Sequence, residues 1–177
     1  MMKKPHKPWL LVLSALYLST AHAQETRTVA IANTGCTVEV FCIPGRFDAY
    51  ELDEGNTVFA DDCEKEGITW GIYCVQRARP IADIKMAEDS AIVLLDFLKA
   101  DFSIVKSKGY EKGLKLRKED AIRGVSDSWE DSQKNKWKVR AWTNGRFICV
   151  LYVHSGKELP DKKVKTFLEG IRFPALK

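Results

Sequence analysis

The segment "KWKVRAWTNGRFICVLYVHS", residues 136–155, constrains the fold more than any other part of the chain. Asn144-Gly145 separates two runs rich in β-branched and aromatic residues, the strongest short-range signal for a β-hairpin. Its second arm, 147–153, is apolar at every position, so it predicts a central strand covered on both faces. Alternation along a strand puts Phe147, Cys149, Leu151 and Val153 on one face, and Ile148, Val150, Tyr152 and His154 on the other. Cys149 and His154 then stand on opposite sides of the sheet, roughly 16 Å apart along it. They cannot act as a nucleophile and its base. Cys149 reads as a small buried apolar residue. His154, the only histidine after residue 22, reads as a solvated strand-end side chain.

Around this hairpin the pattern predicts an α+β domain. Residues 36–43, "CTVEVFCI", alternate and run into the turn "PG". "NTVFADD" (56–62) and "ITWGIYCVQ" (68–76) flank "CEKEG", a second hairpin with Gly67 in its turn. Between 88 and 106, Ile92, Leu95, Leu98, Phe102 and Val105 recur at helical spacing, with Asp89 or Ser90 placed to cap the start. Two short strands, in "GLKLR" and "AIRGVSDSWE", follow. Val164, Phe167, Leu168 and Ile171 then form one face of a last helix, with Gly170 as its stop. The expected architecture is a single antiparallel β-sheet, a meander plus the Asn-Gly hairpin, covered by helices.

The order of "VEVFCIPGRF", "GITWGIYCV", a helix and "WKVRAWTNGRFICVLYVHSGKELPDKKVKTFLEGIRF" resembles the PsbP-like α/β/α sandwich domains of secreted bacterial proteins. The resemblance covers most of residues 24–177. It is carried by packing motifs: the Pro44-Gly45 turn, Asn144-Gly145, and Phe167-Leu168 with Phe173. It implies a non-enzymatic binding or assembly module and brings no shared catalytic residues.

Compartment follows from the N-terminus. A basic start with Lys3, Lys4 and Lys7, a 12-residue apolar run and "AHA" at 21–23 predict a cleaved signal peptide over 1–23. The run is too short for a membrane span, and no second one follows, so a periplasmic or secreted domain of 24–177 is expected. Three of the 28 basic residues leave with the leader, so 25 remain against 24 acids. That near-neutral balance does not favour nucleic acid.

Five cysteines in an exported chain point to disulfides and leave an odd one over. If residues 36–43 pair antiparallel with 56–63, Cys36 comes opposite Cys63, and Cys42 reaches the end where Cys74 lies. The expected bridges are therefore Cys36–Cys63 and Cys42–Cys74. Cys63–Cys74 is disfavoured by about 20 Å of strand.

Motifs for a cofactor, a resident metal or a nucleophile elbow are not found, and no catalytic residue is assigned. Charge offers candidate contacts instead. Eight acids fall between Asp48 and Glu66, with Asp61, Asp62, Glu64 and Glu66 near the hairpin tip. Lys138 and Arg140 form a basic stripe that Trp142 can join. The expected function is a non-enzymatic module binding a protein partner, of immunity or accessory type. The rival is a small-molecule or lipid carrier with an apolar pocket between helix 89–106 and the sheet. A hydrolase built on His154 with Ser155 ranks third.

Overall fold

The computed structural model describes residues 26–175, so the expected leader lies outside it. Ten strands and two α-helices form, and the single helix-covered sheet of the sequence reading is not what they build. They make two antiparallel sheets. The smaller pairs β1 (Arg27–Ala30) with β2 (Thr37–Val40). The larger holds β3 (Asp48–Glu51), β4 (Thr57–Lys65), β5 (Ile68–Gln76), β6 (Ile104–Ser107), β7 (Glu111–Leu114), β8 (Arg123–Asp131), β9 (Lys136–Thr143) and β10 (Phe147–Ser155). Its order is β3-β4-β5-β10-β9-β8, with β6 and β7 following one another along the outer edge of β8. The mostly β character comes from the segments between the legible elements. The 36–43 run turns to a β1 partner rather than joining the main sheet, and β3 closes the acidic stretch against β4.

Strands β5 and β10 lie at the centre and are buried at nearly every position. On one face Trp70, Ile72, Cys74, Cys149, Leu151 and Val153 pack under β1–β2 and the C-terminal helix α2 (Asp161–Leu168), with Phe167 and Leu168. On the other, Tyr73, Val75, Ile148, Val150 and Tyr152 join Ala91, Leu95 and Leu98 of helix α1 (Ile84–Asp101). Helix α1 starts four residues earlier than its apolar spacing implied. Asp83, not Asp89 or Ser90, accepts the amide hydrogens of Lys85 and Met86. It also stops sooner, because Ser103 takes φ +53° and the chain leaves as β6.

The hairpin register overturns the cysteine pairing. Glu66 and Gly67 form a two-residue turn, both at positive φ, so Lys65 faces Ile68 and Cys63 faces Trp70. Because β2 lies in the small sheet, Cys36 never comes opposite Cys63. The bridges are Cys42–Cys63, with Cα atoms 6.0 Å apart, and Cys74–Cys149, directly paired across β5 and β10 at 4.1 Å. That short spacing is typical of a non-hydrogen-bonded antiparallel pair. Cys149 is thus a bridge residue rather than only an apolar filler, and Cys36 is the buried free thiol.

The Asn-Gly hairpin also differs from an exposed tip. The Asn144 side chain accepts the amide hydrogens of Arg146 and Phe147, and Gly145 lies under the connection from β5 to α1. The Ile81 amide donates to the Gly145 carbonyl at 3.0 Å, and a Cβ on Gly145 would come within 2.2 Å of the Ile81 carbonyl oxygen.

Three outcomes test this architecture. Non-reducing peptide maps should return Cys42–Cys63 and Cys74–Cys149 with Cys36 as thiol; a Cys36–Cys63 peptide would contradict the register. Replacing Cys42 and Cys63 together by serine should lower unfolding free energy by about 2–4 kcal/mol in urea. At Gly71, a Cβ would sit 1.9 Å from the Tyr152 ring that crosses it, so Gly71→Ala should cost about 1–3 kcal/mol.

Candidate functional site

The residues singled out by charge do not converge on one surface. Asp61 and Asp62 point to opposite faces of β4, since Val58 and Ala60 pack on the α1 side and Phe59 and Cys63 on the other. Burial raises the pKa of Asp61, whose Oδ1 accepts the Asp62 amide hydrogen at 2.8 Å. Glu66 pairs with Lys163 of α2 at 3.3 Å. Of the four candidate acids Asp61, Asp62, Glu64 and Glu66, Asp62 and Glu64 are the two left exposed and outside any ion pair among the described residues.

The basic stripe is likewise internal. Trp142 is fully buried, and its indole N–H donates to the Leu168 carbonyl at 2.7 Å, closing the end of α2. Trp142 is therefore not a partner contact. Gly124 makes room for it, because a Cβ there would lie 2.4 Å from the ring. Arg140 bonds Glu169 at 2.7 Å, and Lys138 donates to the Ser128 hydroxyl at 3.2 Å. Both hold β9 to its neighbours.

His154 stacks flat on Trp137, ring centroids 4.0 Å apart, on the α1 side of the sheet. Ser155 faces the other way, donating its hydroxyl proton to the Gly67 carbonyl at 2.8 Å and accepting from the Lys157 amide. The two therefore make no nucleophile–base pair. Burial lowers the His154 pKa, against the pull of Asp131, Asp62 and Glu64. The sulfurs of Cys36, Cys74 and Cys149 lie within 4.8 Å of one another, a soft-metal geometry, but two of them are committed to a disulfide. Burial pushes the third, Cys36, up to about 11.

An apolar hollow lies beside α1, between that helix and the sheet where the carrier reading puts one, though no sequence motif marks its lining residues. One flank of this helix is bonded to the sheet edge: Glu88 accepts the Gly113 amide hydrogen at 2.6 Å, Lys112 pairs with Asp89 at 2.9 Å, and Tyr110 donates to Asp96 at 2.5 Å. Lys99 crosses to the buried Asp127 at 3.4 Å, passing over the Tyr110 ring. Burial alone would raise Asp127, but donors from Ser107, Trp129 and Ser128, with the Lys99 charge, hold it below the usual carboxylate range. The helix is thereby pulled over β8 and β9, and its opposite flank faces the β4–β5 half of the sheet across a hollow.

That flank walls an open cleft of about 360 Å³. Tyr73, Val75 and Ile148 form the floor; Val93, Leu94 and Phe97 form the helix wall; Leu52 closes the far side. Val93 and Phe97 are 70 % and 61 % exposed, large for apolar side chains four residues apart on one helix. At one end the lining turns polar with Asn56 and Arg77. A signal for the site was present in "AIVLLDFLKA", whose apolar arc is wider than one packing face needs.

The His154 environment gives a pH prediction. Its folded pKa lies below the unfolded value near 6.5, so the unfolded chain binds the proton first and stability falls as pH drops below about 6.5. NMR should place the His154 midpoint below 6.5, and His154→Phe should flatten stability between pH 5 and 7. A midpoint above 6.5 would contradict the stacked, half-buried placement. No protein-family model matches the chain, and no curated protein matches it either, so the chemistry of the site is argued from its geometry.

Proposed function

We propose that the chain is an exported, non-enzymatic binding module that carries a small apolar ligand in the cleft beside α1. The observation behind this reading is the cleft itself, apolar on its floor and both walls, with Val93 and Phe97 standing exposed along it. Its volume lies within the range of small-molecule sites, about 300–1,000 Å³. Two disulfides fit an oxidising compartment, and among the described residues no helix is long and apolar enough to cross a membrane.

A second reading keeps a protein partner. Exposed Asp62 and Glu64 at the β4–β5 hairpin offer negative charge to a basic surface, as an immunity-type or accessory protein would. Concavity favours the carrier, because one exposed hairpin tip provides little area for a specific protein interface.

Binding of the neutral dye Nile red separates the two. The wild-type protein should bind it saturably, with fluorescence enhancement, and Phe97→Asp should weaken binding at least about tenfold while the thermal midpoint holds. Asp62→Lys with Glu64→Lys should leave dye binding unchanged. Absence of saturable binding by the wild type would end the carrier reading. Loss of a co-purifying protein on reversing those two acids would favour the second.

A further inference from the structure

The cleft has a chemical direction. Its floor and walls are apolar over most of their length, but Asn56 and Arg77 at one end also line a second hollow of about 300 Å³, shared with Glu54 and Arg79. The two hollows thus adjoin, with Asn56 and Arg77 lining both. Neither Arg77 nor Arg79 enters an ion pair among the described residues, whereas ten other ion pairs bind charges of the molecule together.

The segment carrying both arginines is fixed in place. The Arg77 amide donates to the Arg146 carbonyl at 2.9 Å, the Ala78 amide to the Asn56 side chain at 3.1 Å, and the Ile81 amide to Gly145 at 3.0 Å. Arg77 Nε also reaches the Arg79 carbonyl at 3.4 Å. Two guanidinium groups are thus presented by an ordered loop at the polar end of an apolar trough. Guanidinium is the side chain best shaped for an oxyanion, because it offers parallel N–H donors and a charge that does not titrate.

We propose that the ligand is a long-chain carboxylate, its chain lying along Val75, Val93, Phe97 and Ile148 and its head held by Arg77 and Arg79. This rests on the carrier reading above and names its ligand. Glu54 in the same hollow selects the head. One acid against two cations leaves a site of single positive charge, which suits a compact monoanion better than a bulkier, more highly charged phosphate.

Equilibrium dialysis of the purified protein against radiolabelled oleate, oleyl alcohol and lysophosphatidate, each below its micelle concentration, tests the assignment. Oleate should bind one per chain, and oleyl alcohol about tenfold more weakly, as expected for loss of a charge-assisted hydrogen bond. Arg77→Gln with Arg79→Gln should bring oleate down to the level of the alcohol. Phe97→Asp should abolish binding of both, with thermal unfolding as the folding control; Val93→Asp, at a more exposed position, serves if that variant is unstable. Equal affinity for oleate and oleyl alcohol would overturn the arginine headgroup site and leave the apolar carrier standing. Tighter binding of lysophosphatidate would overturn the choice of carboxylate. No saturable binding of any of the three, or oleate binding indifferent to both aspartate variants, would overturn the carrier reading as well.

Discussion

The pairing of β5 with β10 is the constraint on which the rest of the molecule depends. Both strands are apolar on both faces, so neither can be left at an edge, and each face demands a cover of its own. Cys74 and Cys149 stand opposite one another in this ladder and tie its middle covalently. The two covers come from different parts of the chain. One is helix α1; the other is β1–β2 with α2, sealed where Trp142 donates to the last turn of α2 and Arg172 exchanges backbone hydrogen bonds with Thr37.

Neither cover is centred on the sheet, and the two are offset toward different halves. Polar bonds from Glu88, Asp89, Asp96 and Lys99 draw α1 over β8 and β9, which opens the β4–β5 half beside it. On the opposite face α2 and the small sheet sit over β4, β5 and β10, and the outward residues of β8 and β9 are polar: Ser126, Ser128, Glu130, Lys138 and Arg140. Lys106 and Lys136 both bond Glu130 there and hold its carboxyl down at about 2. The cleft beside α1 is thus a by-product of where the polar contacts of one helix flank place that helix.

Local pattern was readable where a single residue period dominates. The faces of β10 and the amphipathic stripe of α2 follow from spacing, whereas the turn read as "CEKEG" closes on Glu66-Gly67 alone and shifts the register of its hairpin. What spacing does not carry is partnership between distant strands. Nothing in "CTVEVFCI" says that β2 pairs with Arg27–Ala30 instead of β4, and that one choice removes the expected Cys36–Cys63 bridge and divides the strands between two sheets. Trp142 was misplaced for a related reason. Alternation put it on the stripe with Arg140, which is true, but that face is roofed by α2 at this point of the strand and open two residues earlier. The sequence points to an apolar pocket between α1 and the sheet but not to its lining, because helical spacing alone does not mark Val93, Leu94 and Phe97 as exposed. Their exposure depends on how far the helix is pulled sideways, which is settled by side chains 10 to 30 residues further on.

The diagonal placement of the two covers gives the molecule a polarity that its composition conceals. An apolar half-face lies on one side toward the β3–β4 edge, and a charged half-face lies on the other side toward the β8 edge. Such a body has a preferred way up at any boundary between oil and water. Met86, Val93 and Phe97 would meet the apolar phase while Lys106, Glu130 and Lys136 stay hydrated. Under the proposed carrier reading, the mouth of the cleft would open toward that apolar phase.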